Sequence, residues 1–266
     1  MAGRFADKII WVTGGGTGLG RAMALEFGRE GGTVVVSGRR PDRLEAVVAD
    51  LASAGATGLA VPCDVTVEAH VQAAVDRIVA TYGRLDVAVA NAGFAVGGRF
   101  EKLTTGDWQR QFAVNVVGLT TTVRCALPAL RESSGRIVLI GSVAAYLGLP
   151  GSSAYGASKA AVRSIGASLS AELAGSGVTC TTIHPGFVES EIAQVDNQGT
   201  HHPDRKDPRP AKLMWSAERA AAVMVRATHA RRREYVFTGH GWFGALMGQR
   251  LPALTQWIIT TASKKR

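Results

Sequence analysis

Short apolar runs rich in β-branched residues alternate with longer helical patterns along most of this chain, which predicts an α/β fold. The runs are almost continuously apolar, as in parallel strands that are buried on both faces. A glycine-rich turn joins the first run to the first helical pattern. We therefore expect a doubly wound sheet of seven parallel strands flanked by helices.

The predicted elements follow one another in a single series. Strands are expected at residues 8–13, 33–37, 58–62, 85–90, 136–140, 178–183 and 234–237. Helical periodicity predicts helices at residues 19–30, 42–54, 68–82, 105–131, 154–174 and 217–230. One continuous alternation without a linker or repeat favours a single catalytic domain over residues 1–241.

Two segments break this pattern. Residues 189–215 are irregular, with three prolines and the pair His201-His202, and a loop of this length predicts a substrate lid. We expect the two histidines to be solvated, not to bind a metal. The tail, residues 242–266, is apolar and aromatic with a basic end. It either packs over a substrate pocket or a sister subunit, or makes peripheral contact with a membrane surface.

Composition excludes several functional classes. Apolar residues make up 46% of the 266 residues, enough for a sizeable core, and no run of eighteen uncharged apolar residues predicts a membrane span. The N-terminal residues lack the pattern of a signal peptide. Three widely spaced cysteines argue against a disulfide framework and against a zinc site. We expect a cytoplasmic protein without a structural metal.

The charge balance is basic, with a net charge of +9. Nucleic acid or an anionic membrane surface would fit this charge, as would an ordinary basic surface with a site for an anionic cofactor. No nucleic-acid motif accompanies the charge, so we expect no nucleic-acid partner.

The glycine-rich turn after the first strand predicts a dinucleotide site of the Rossmann type. Glycines let the backbone approach a pyrophosphate, and the start of the following helix supplies N–H donors and positive potential. The residues expected to bind are Gly14, Gly16, Thr17, Gly18, Leu19 and Gly20.

The end of the second strand indicates which dinucleotide is bound. An acidic residue is typical there in NAD sites, whereas an arginine is typical of NADP sites. Here the acid is missing, and Arg39 and Arg40 follow the strand. This pair favours NADP(H), although NAD(H) use stays open.

A tyrosine and a lysine four residues apart point to the chemistry. Tyr155 and Lys159 project from one face of the predicted helix, and Ser142 lies thirteen residues before the tyrosine. An ammonium group near a phenol lowers the phenol pKa, which lets the phenol exchange a proton near neutral pH. With a bound hydride carrier, this set could interconvert a carbonyl and an alcohol.

Taken in order, these motifs resemble those of the short-chain dehydrogenase/reductase family over about residues 6–240. The matching motifs are Thr13–Gly20, Asp64-Val65, Asn91-Ala92-Gly93, Asn115, Ser142, Tyr155-x-x-x-Lys159 and Pro185-Gly186. In many NADP-preferring members a basic residue stands where this chain has Thr17, so the NADP(H) expectation depends on the two arginines alone.

The resemblance implies catalytic roles for four residues. Tyr155 would act as the general acid in reduction and as the base in oxidation. Lys159 would tune the phenol and donate a hydrogen bond to the nicotinamide ribose. Ser142 would polarise the substrate carbonyl, and Asn115 would hold a water that relays protons.

The resemblance also implies further contacts with the cofactor. Asp64 and Val65 would meet the adenine, and Asn91 and Gly93 would lie behind the adenosine ribose. The segment after the sixth predicted strand would face the nicotinamide. The residues of that segment are Pro185, Gly186, Val188 and Ser190.

The expected substrate is a hydrophobic ketone or aldehyde, or the matching alcohol, because the residues expected around the reacting group are mostly apolar. They are Ser142, Ala144, Tyr155 and Phe187, with Leu149, Tyr146, Leu147, Pro150 and Phe94 beside them. A homo-dimer or homo-tetramer is implied by the resemblance. The alternatives are an NAD(H)-dependent alcohol dehydrogenase of the same family and a non-catalytic NADP(H)-binding sensor or scaffold. A sugar-nucleotide epimerase fits the spacing of the glycine turn less well.

Overall fold

The computed structural model describes residues 3–263, which form one seven-stranded parallel sheet between two layers of helices. The strands lie in the order β3-β2-β1-β4-β5-β6-β7. Their bounds are β1 Ile9–Thr13, β2 Thr33–Ser37, β3 Gly58–Ala60, β4 Val87–Ala90, β5 Arg136–Ile140, β6 Thr179–His184 and β7 Glu234–Val236. The predicted α/β fold and its seven parallel strands are confirmed.

Nine α-helices surround the sheet in the described part of the chain. They are α1 Gly18–Arg29, α2 Pro41–Ser53, α3 Glu68–Tyr82, α4 Thr105–Phe112, α5 Leu119–Glu132, α6 Ser153–Glu172, α7 Ala217–His229, α8 Gly239–Arg250 and α9 Pro252–Ser263. The helix expected at residues 105–131 is interrupted by a π-helical segment, Ala113–Gly118. By length and composition the whole stretch could cross a membrane, but α5 packs on the sheet through Leu119, Val123 and Leu130.

Both faces of the sheet are buried, which is why its strands read as continuous apolar runs. On β1, Ile10 and Val12 join the core on one side, whereas Ile9 and Trp11 join the core on the other. This alternation follows from the two-residue period of a strand. The sheet therefore stands as a rigid platform, and the loops at the carboxyl ends of its strands are free to build a site.

The strand order reverses direction at β1. This strand pairs with β2 on one side and with β4 on the other, and both pairings are parallel. Connections that leave in opposite directions open a crevice at the carboxyl ends of such neighbouring strands. The glycine-rich turn lies at this point.

The C-terminal part departs from the predicted boundary at residue 242. Helix α8 begins at Gly239, so the expected border between domain and tail falls inside a helix. The predicted lid, residues 189–215, is irregular as expected, with two short 3₁₀ turns at Glu191–Gln194 and Ala211–Leu213.

A charged cluster behind β5 holds the loop that carries Ser142. The Tyr146 hydroxyl donates to Glu234 Oε1 at 2.7 Å, and Arg163 Nε donates to the same oxygen at 2.9 Å. The His184 ring is fully buried, with Nδ1 3.2 Å from the Ser142 carbonyl oxygen and Nε2 3.2 Å from Glu234 Oε1. The Nε2–Oε1 distance is within the range of an ion pair, but the geometry does not form a hydrogen bond. Contact with His184, and hydrogen bonds from the other two, lower the pKa of Glu234 to about 2.

This cluster predicts a pH-dependent contribution to stability. Because the Glu234 pKa is lowered in the folded chain, its contribution is present above the ordinary value of 4.5 and is lost as the pH falls toward about 2. Since Glu234 is partly exposed, we expect Glu234→Gln to lower the free energy of unfolding at pH 7 by only about 1 kcal/mol. Denaturant unfolding at pH 7 and at pH 3 should show the difference shrinking at the lower pH.

The matched control is Glu45→Gln, which changes an exposed glutamate that forms no ion pair within residues 3–263. It should unfold like the unchanged protein at both pH values. A Glu234→Gln effect of the same size at pH 7 and pH 3 would contradict the charge-based account.

Candidate active site

The glycine-rich turn presses directly against the end of β4. Gly14 has φ +63°, and a Cβ atom there would come within 2.8 Å of the Ala92 Cα atom. A Cβ atom at Gly20 would come within 2.2 Å of the Gly14 carbonyl oxygen. The Asn91 side chain ties the two elements together by donating to the carbonyl oxygens of Thr13 at 2.9 Å and Gly14 at 3.2 Å. Only glycine fits this approach.

A cleft of about 620 Å³ opens above this turn, at the carboxyl ends of the strands. Each residue predicted to bind the cofactor lines it: Gly14, Gly16, Thr17, Gly18, Leu19, Gly20, Arg39, Arg40, Asp64, Val65, Asn91, Gly93, Tyr155, Lys159, Pro185, Gly186, Val188 and Ser190. The cleft contains a glycine cradle, the start of α1 and cationic side chains at the end of β2. This donor set fits an elongated ligand with two phosphate groups, such as a nicotinamide dinucleotide.

The two arginines after β2 have different surroundings. The Arg40 guanidinium lies 3.4 Å from the Glu191 carboxylate of the lid. Arg39 is exposed and forms no ion pair with any residue between 3 and 263, and its Nη2 atom faces Gly199 of the lid. The charge of Arg39 is therefore available to an anionic ligand, whereas that of Arg40 is partly compensated.

The catalytic side chains meet where β5 and α6 approach each other. Ser142 lies near the start of the loop after β5, and its hydroxyl accepts a hydrogen bond from Ala144 N at 3.1 Å. Tyr155 stands in the first turn of α6. Its residue surface is partly exposed, but protein atoms enclose its hydroxyl group. This burial raises the Tyr155 pKa, against smaller lowering effects of the Ser142 hydroxyl and of the Arg209 charge.

Lys159 is buried beside the tyrosine, with its ammonium group directed toward β5. Its Nζ donates to the Ile140 carbonyl oxygen at 2.7 Å and lies 5.8 Å from the centroid of the Tyr155 ring. Burial lowers the Lys159 pKa to about 8. The expectation that Lys159 lowers the Tyr155 pKa stays a prediction, because the net shift of that pKa is upward. Burial dominates the Tyr155 pKa, while the Lys159 ammonium group is engaged by the Ile140 carbonyl.

Asn115 lies in the π-helical segment and does not line the cleft. Its Oδ1 accepts from Phe94 N at 3.1 Å, while its Nδ2 donates to the Phe94 carbonyl at 3.0 Å and to Ser158 Oγ at 3.2 Å. The side chain thus joins the segment after β4 to α6. Its predicted role in a proton relay stays a prediction.

The expected substrate residues lie beside the cleft. Phe94 lines it, but Ala144, Leu149 and Phe187 do not. Leu149 is 37% exposed on the loop after β5. The Phe187 ring stacks on His240 of α8, with centroids 5.1 Å apart. The substrate pocket therefore stays a prediction. Helix α8 lies next to Phe187, which the sequence did not indicate.

Tyr146 was expected in the wall of the substrate pocket, and this expectation is wrong. Its hydroxyl donates to Glu234 behind the Ser142 loop, and the Arg163 guanidinium lies 4.7 Å from its ring centroid. Burial and the Glu234 carboxylate raise the Tyr146 pKa, so the group serves as a structural donor.

Sequence reasoning missed Arg209, a lid residue that lines the cleft. Its Nη1 donates to the Val188 carbonyl at 3.0 Å, and its Nη2 lies 3.4 Å from Ser190 Oγ. Asp207 holds the guanidinium from the other side at 2.6 Å. Only the path of the irregular lid brings this arginine to the cleft, and no local pattern in the sequence reveals that path.

Comparison with known proteins agrees with this geometry. A family model described as "short chain dehydrogenase" matches residues 8–201. A 3beta-hydroxysteroid dehydrogenase from Mediterraneibacter gnavus is 37% identical over 195 residues, which cover 73% of this chain and 71% of that protein. An uncharacterized oxidoreductase from Staphylococcus aureus strain MRSA252 is 34% identical over 230 residues, which cover 86% of this chain and 95% of that protein.

Solved structures share the fold along nearly its whole length. A dehydrogenase/reductase from Sinorhizobium meliloti 1021 superposes with a TM-score of 0.80 at 27% identity, covering 89% of this chain and 96% of that one. An alcohol dehydrogenase from the archaeon Thermococcus sibiricus, complexed with 5-hydroxy-NADP, gives a TM-score of 0.74 at 23% identity and covers 86% and 95%. With the family model matching most of its length, the chain belongs to the short-chain dehydrogenase family of NAD(P)-dependent oxidoreductases that act on CH–OH groups.

Proposed function

We propose that this protein uses NADP(H) to interconvert a hydrophobic ketone or aldehyde and its alcohol, with Tyr155 as the general acid and base. One observation carries the proposal. Ser142, Tyr155 and Lys159 all line the cleft that the glycine cradle also lines. A proton donor and an oxygen-binding hydroxyl thereby share one cleft with the backbone that fits a dinucleotide.

The bound dinucleotide would supply the hydride to the carbonyl carbon. The Ser142 hydroxyl would donate a hydrogen bond to the substrate oxygen and stabilise the negative charge that develops there. The Tyr155 hydroxyl would transfer its proton to that oxygen, so the carbonyl π bond is replaced by one C–H and one O–H bond. Burial raises the Tyr155 pKa and keeps the phenol protonated, as reduction requires.

After the transfer, Tyr155 would carry a negative charge that the site must stabilise. The Ser142 hydroxyl and the positive charge of Arg209 both lower the Tyr155 pKa, which stabilises the phenolate. Lys159 lies close enough for its ammonium group to turn from the Ile140 carbonyl toward the phenolate. In oxidation the same groups would act in reverse, with the phenolate accepting the alcohol proton.

The preference for NADP(H) is supported by the charges at the end of β2. No acidic side chain stands between the end of this strand and the start of α2, and Arg39 forms no ion pair in the described part of the chain. A 2′-phosphate would supply the missing anion. The Glu191 partner of Arg40 makes that residue a weaker contributor.

A hydrophobic substrate is supported by the apolar side chains around the Ser142 loop. The Mediterraneibacter gnavus relative, named a 3beta-hydroxysteroid dehydrogenase, also acts on a bulky apolar alcohol by its name. We propose a substrate of that class, with Phe94, Leu149 and Phe187 around its apolar body.

Tyr155→Phe tests the proposed acid. Removing the hydroxyl should lower turnover by about 10²- to 10⁴-fold, because general acid catalysis is lost, while NADPH binding stays within about twofold. Stopped-flow NADPH oxidation with a panel of hydrophobic ketones measures the first quantity, and fluorescence titration measures the second. Tyr82→Phe, on α3 away from the cleft, is the matched control and should keep full turnover. Near-normal turnover in Tyr155→Phe would refute the role.

Arg39→Ala tests the cofactor preference. Loss of a charge-assisted contact with the 2′-phosphate should weaken NADPH binding by about tenfold, with little effect on NADH. Dissociation constants for both dinucleotides check this, and Arg77→Ala on the exposed side of α3 is the control. If binding of NADPH and NADH weakened equally, Arg39 would not be a contact of the 2′-phosphate.

Arg209→Met tests whether the lid is held by its bonds to Val188 and Ser190. Loss of these bonds should speed amide hydrogen exchange in the lid around Ser190. Bonds that join Asn197 to Gly97 and Arg110 still hold the middle of the lid. Lys206→Met, which removes an exposed lid cation, should leave exchange unchanged. Equal rates of amide hydrogen exchange at residues 189–215 in both variants would show that the bonds from Arg209 do not hold the lid.

A further inference from the structure

The last two helices form a pair with two unlike faces. The inner face of α8 packs closely on the loop after Ser142, since a Cβ atom at Gly248 would come within 2.2 Å of the Tyr146 carbonyl oxygen. At Gly244 an added Cβ would meet Leu147 at 3.4 Å, and Ala245 is buried. The tail therefore packs on the loop after Ser142 through this face.

The outer face of the pair is apolar and exposed. Seven of the thirteen exposed large hydrophobic residues in the described chain lie there: Trp242, Phe243, Leu246, Leu251, Leu254, Trp257 and Ile258. Trp257 is 64% exposed and Phe243 59%, and α9 buries none of its residues. We call these seven residues the apolar tail surface. An apolar patch of this extent on one element marks a contact with a partner.

The charges of this region indicate the kind of partner. No aspartate or glutamate follows Glu234, so the last 32 residues carry only basic charges, at Arg250, Lys264, Lys265 and Arg266. The last three lie outside the described residues. Exposed tryptophans, aliphatic residues and lysine or arginine without acids are typical of segments that lie in the interface of an anionic bilayer.

A second copy of the chain fits this surface less well. A two-fold contact would bring the same surface of both copies together. Such a contact would bring together two segments that carry basic residues and no acidic residue after Glu234. An anionic lipid surface supplies both the apolar environment and the opposite charge.

We propose that the apolar tail surface docks this protein on the surface of an anionic lipid bilayer, without crossing it. Because α8 also packs on Val143 and Leu147, next to Ser142, docking would place the substrate side of the site near the lipid. This last point rests on the proposed function, and it favours lipophilic carbonyl compounds that partition into the bilayer.

The test is co-sedimentation with vesicles of phosphatidylcholine, with and without about a third of phosphatidylglycerol. The full chain should bind the anionic vesicles, and binding should weaken on neutral vesicles and at high salt. The double variant Trp257→Ser/Ile258→Ser should lose at least about tenfold in partition coefficient, because two buried apolar side chains are removed from the contact. The control, Phe100→Ser/Val67→Ser, removes two exposed apolar residues elsewhere and should bind as the unchanged protein does.

A charge variant gives an independent measurement. Lys264→Gln/Lys265→Gln/Arg266→Gln should lose most of the preference for anionic over neutral vesicles. NADPH titration of every variant reports whether the fold is intact. Tyr155→Phe should bind vesicles normally, so failure of the proposed reaction and failure of membrane docking can be told apart.

Three results would overturn the proposal. The full chain could fail to bind anionic vesicles, the tail variants could bind them as well as the full chain, or the charge variant could keep its lipid preference. Light scattering tests the alternative that a second copy of the chain covers the apolar tail surface. A dimer that the Trp257→Ser/Ile258→Ser variant converts to monomers, without any vesicle binding, would assign the apolar tail surface to a second copy.

Discussion

The contact between the glycine-rich turn and the end of β4 is the constraint on which the site depends. Gly14 and Gly20 let backbone meet backbone where any side chain would collide, and Asn91 fixes the approach with two hydrogen bonds. The neighbouring strands β1 and β4 bring these segments together because the strand order reverses there. A wider turn would displace the start of α1 and open the floor of the cleft.

Burial sets the protonation of the catalytic groups as much as their mutual charges do. Burial raises the Tyr155 pKa above its ordinary value of 10 and lowers the Lys159 pKa from 10.5 to about 8, which moves the two values apart. A raised phenol pKa keeps Tyr155 protonated until a substrate oxygen can accept the proton. Burial thus favours the proposed acid role of Tyr155 in reduction, whereas oxidation would depend on the positive charges around the phenolate.

The strands and helices whose formation depends mainly on neighbouring residues could be predicted from the sequence. The predicted bounds of strands Thr33–Ser37 and Arg136–Ile140 match the structure, because short runs rich in β-branched residues strongly favour buried strands. The π-helical segment Ala113–Gly118 was missed, since one widened turn hardly changes helical periodicity. The positions of Tyr146 and Arg209 depend on contacts across more than twenty residues, with Glu234 and Val188. Motif order located the cleft lining, whereas the hydrogen-bond partners of each side chain required the fold.

The two edges of the sheet are both three-residue strands, Gly58–Ala60 and Glu234–Val236. An edge this short offers few free N–H and C=O groups to another strand, and Glu234 adds a charge at one of them. Sheet extension from molecule to molecule is thereby discouraged, including during folding, when strands are most exposed. The outer faces of the helices therefore offer more surface for contacts between molecules than the sheet edges do.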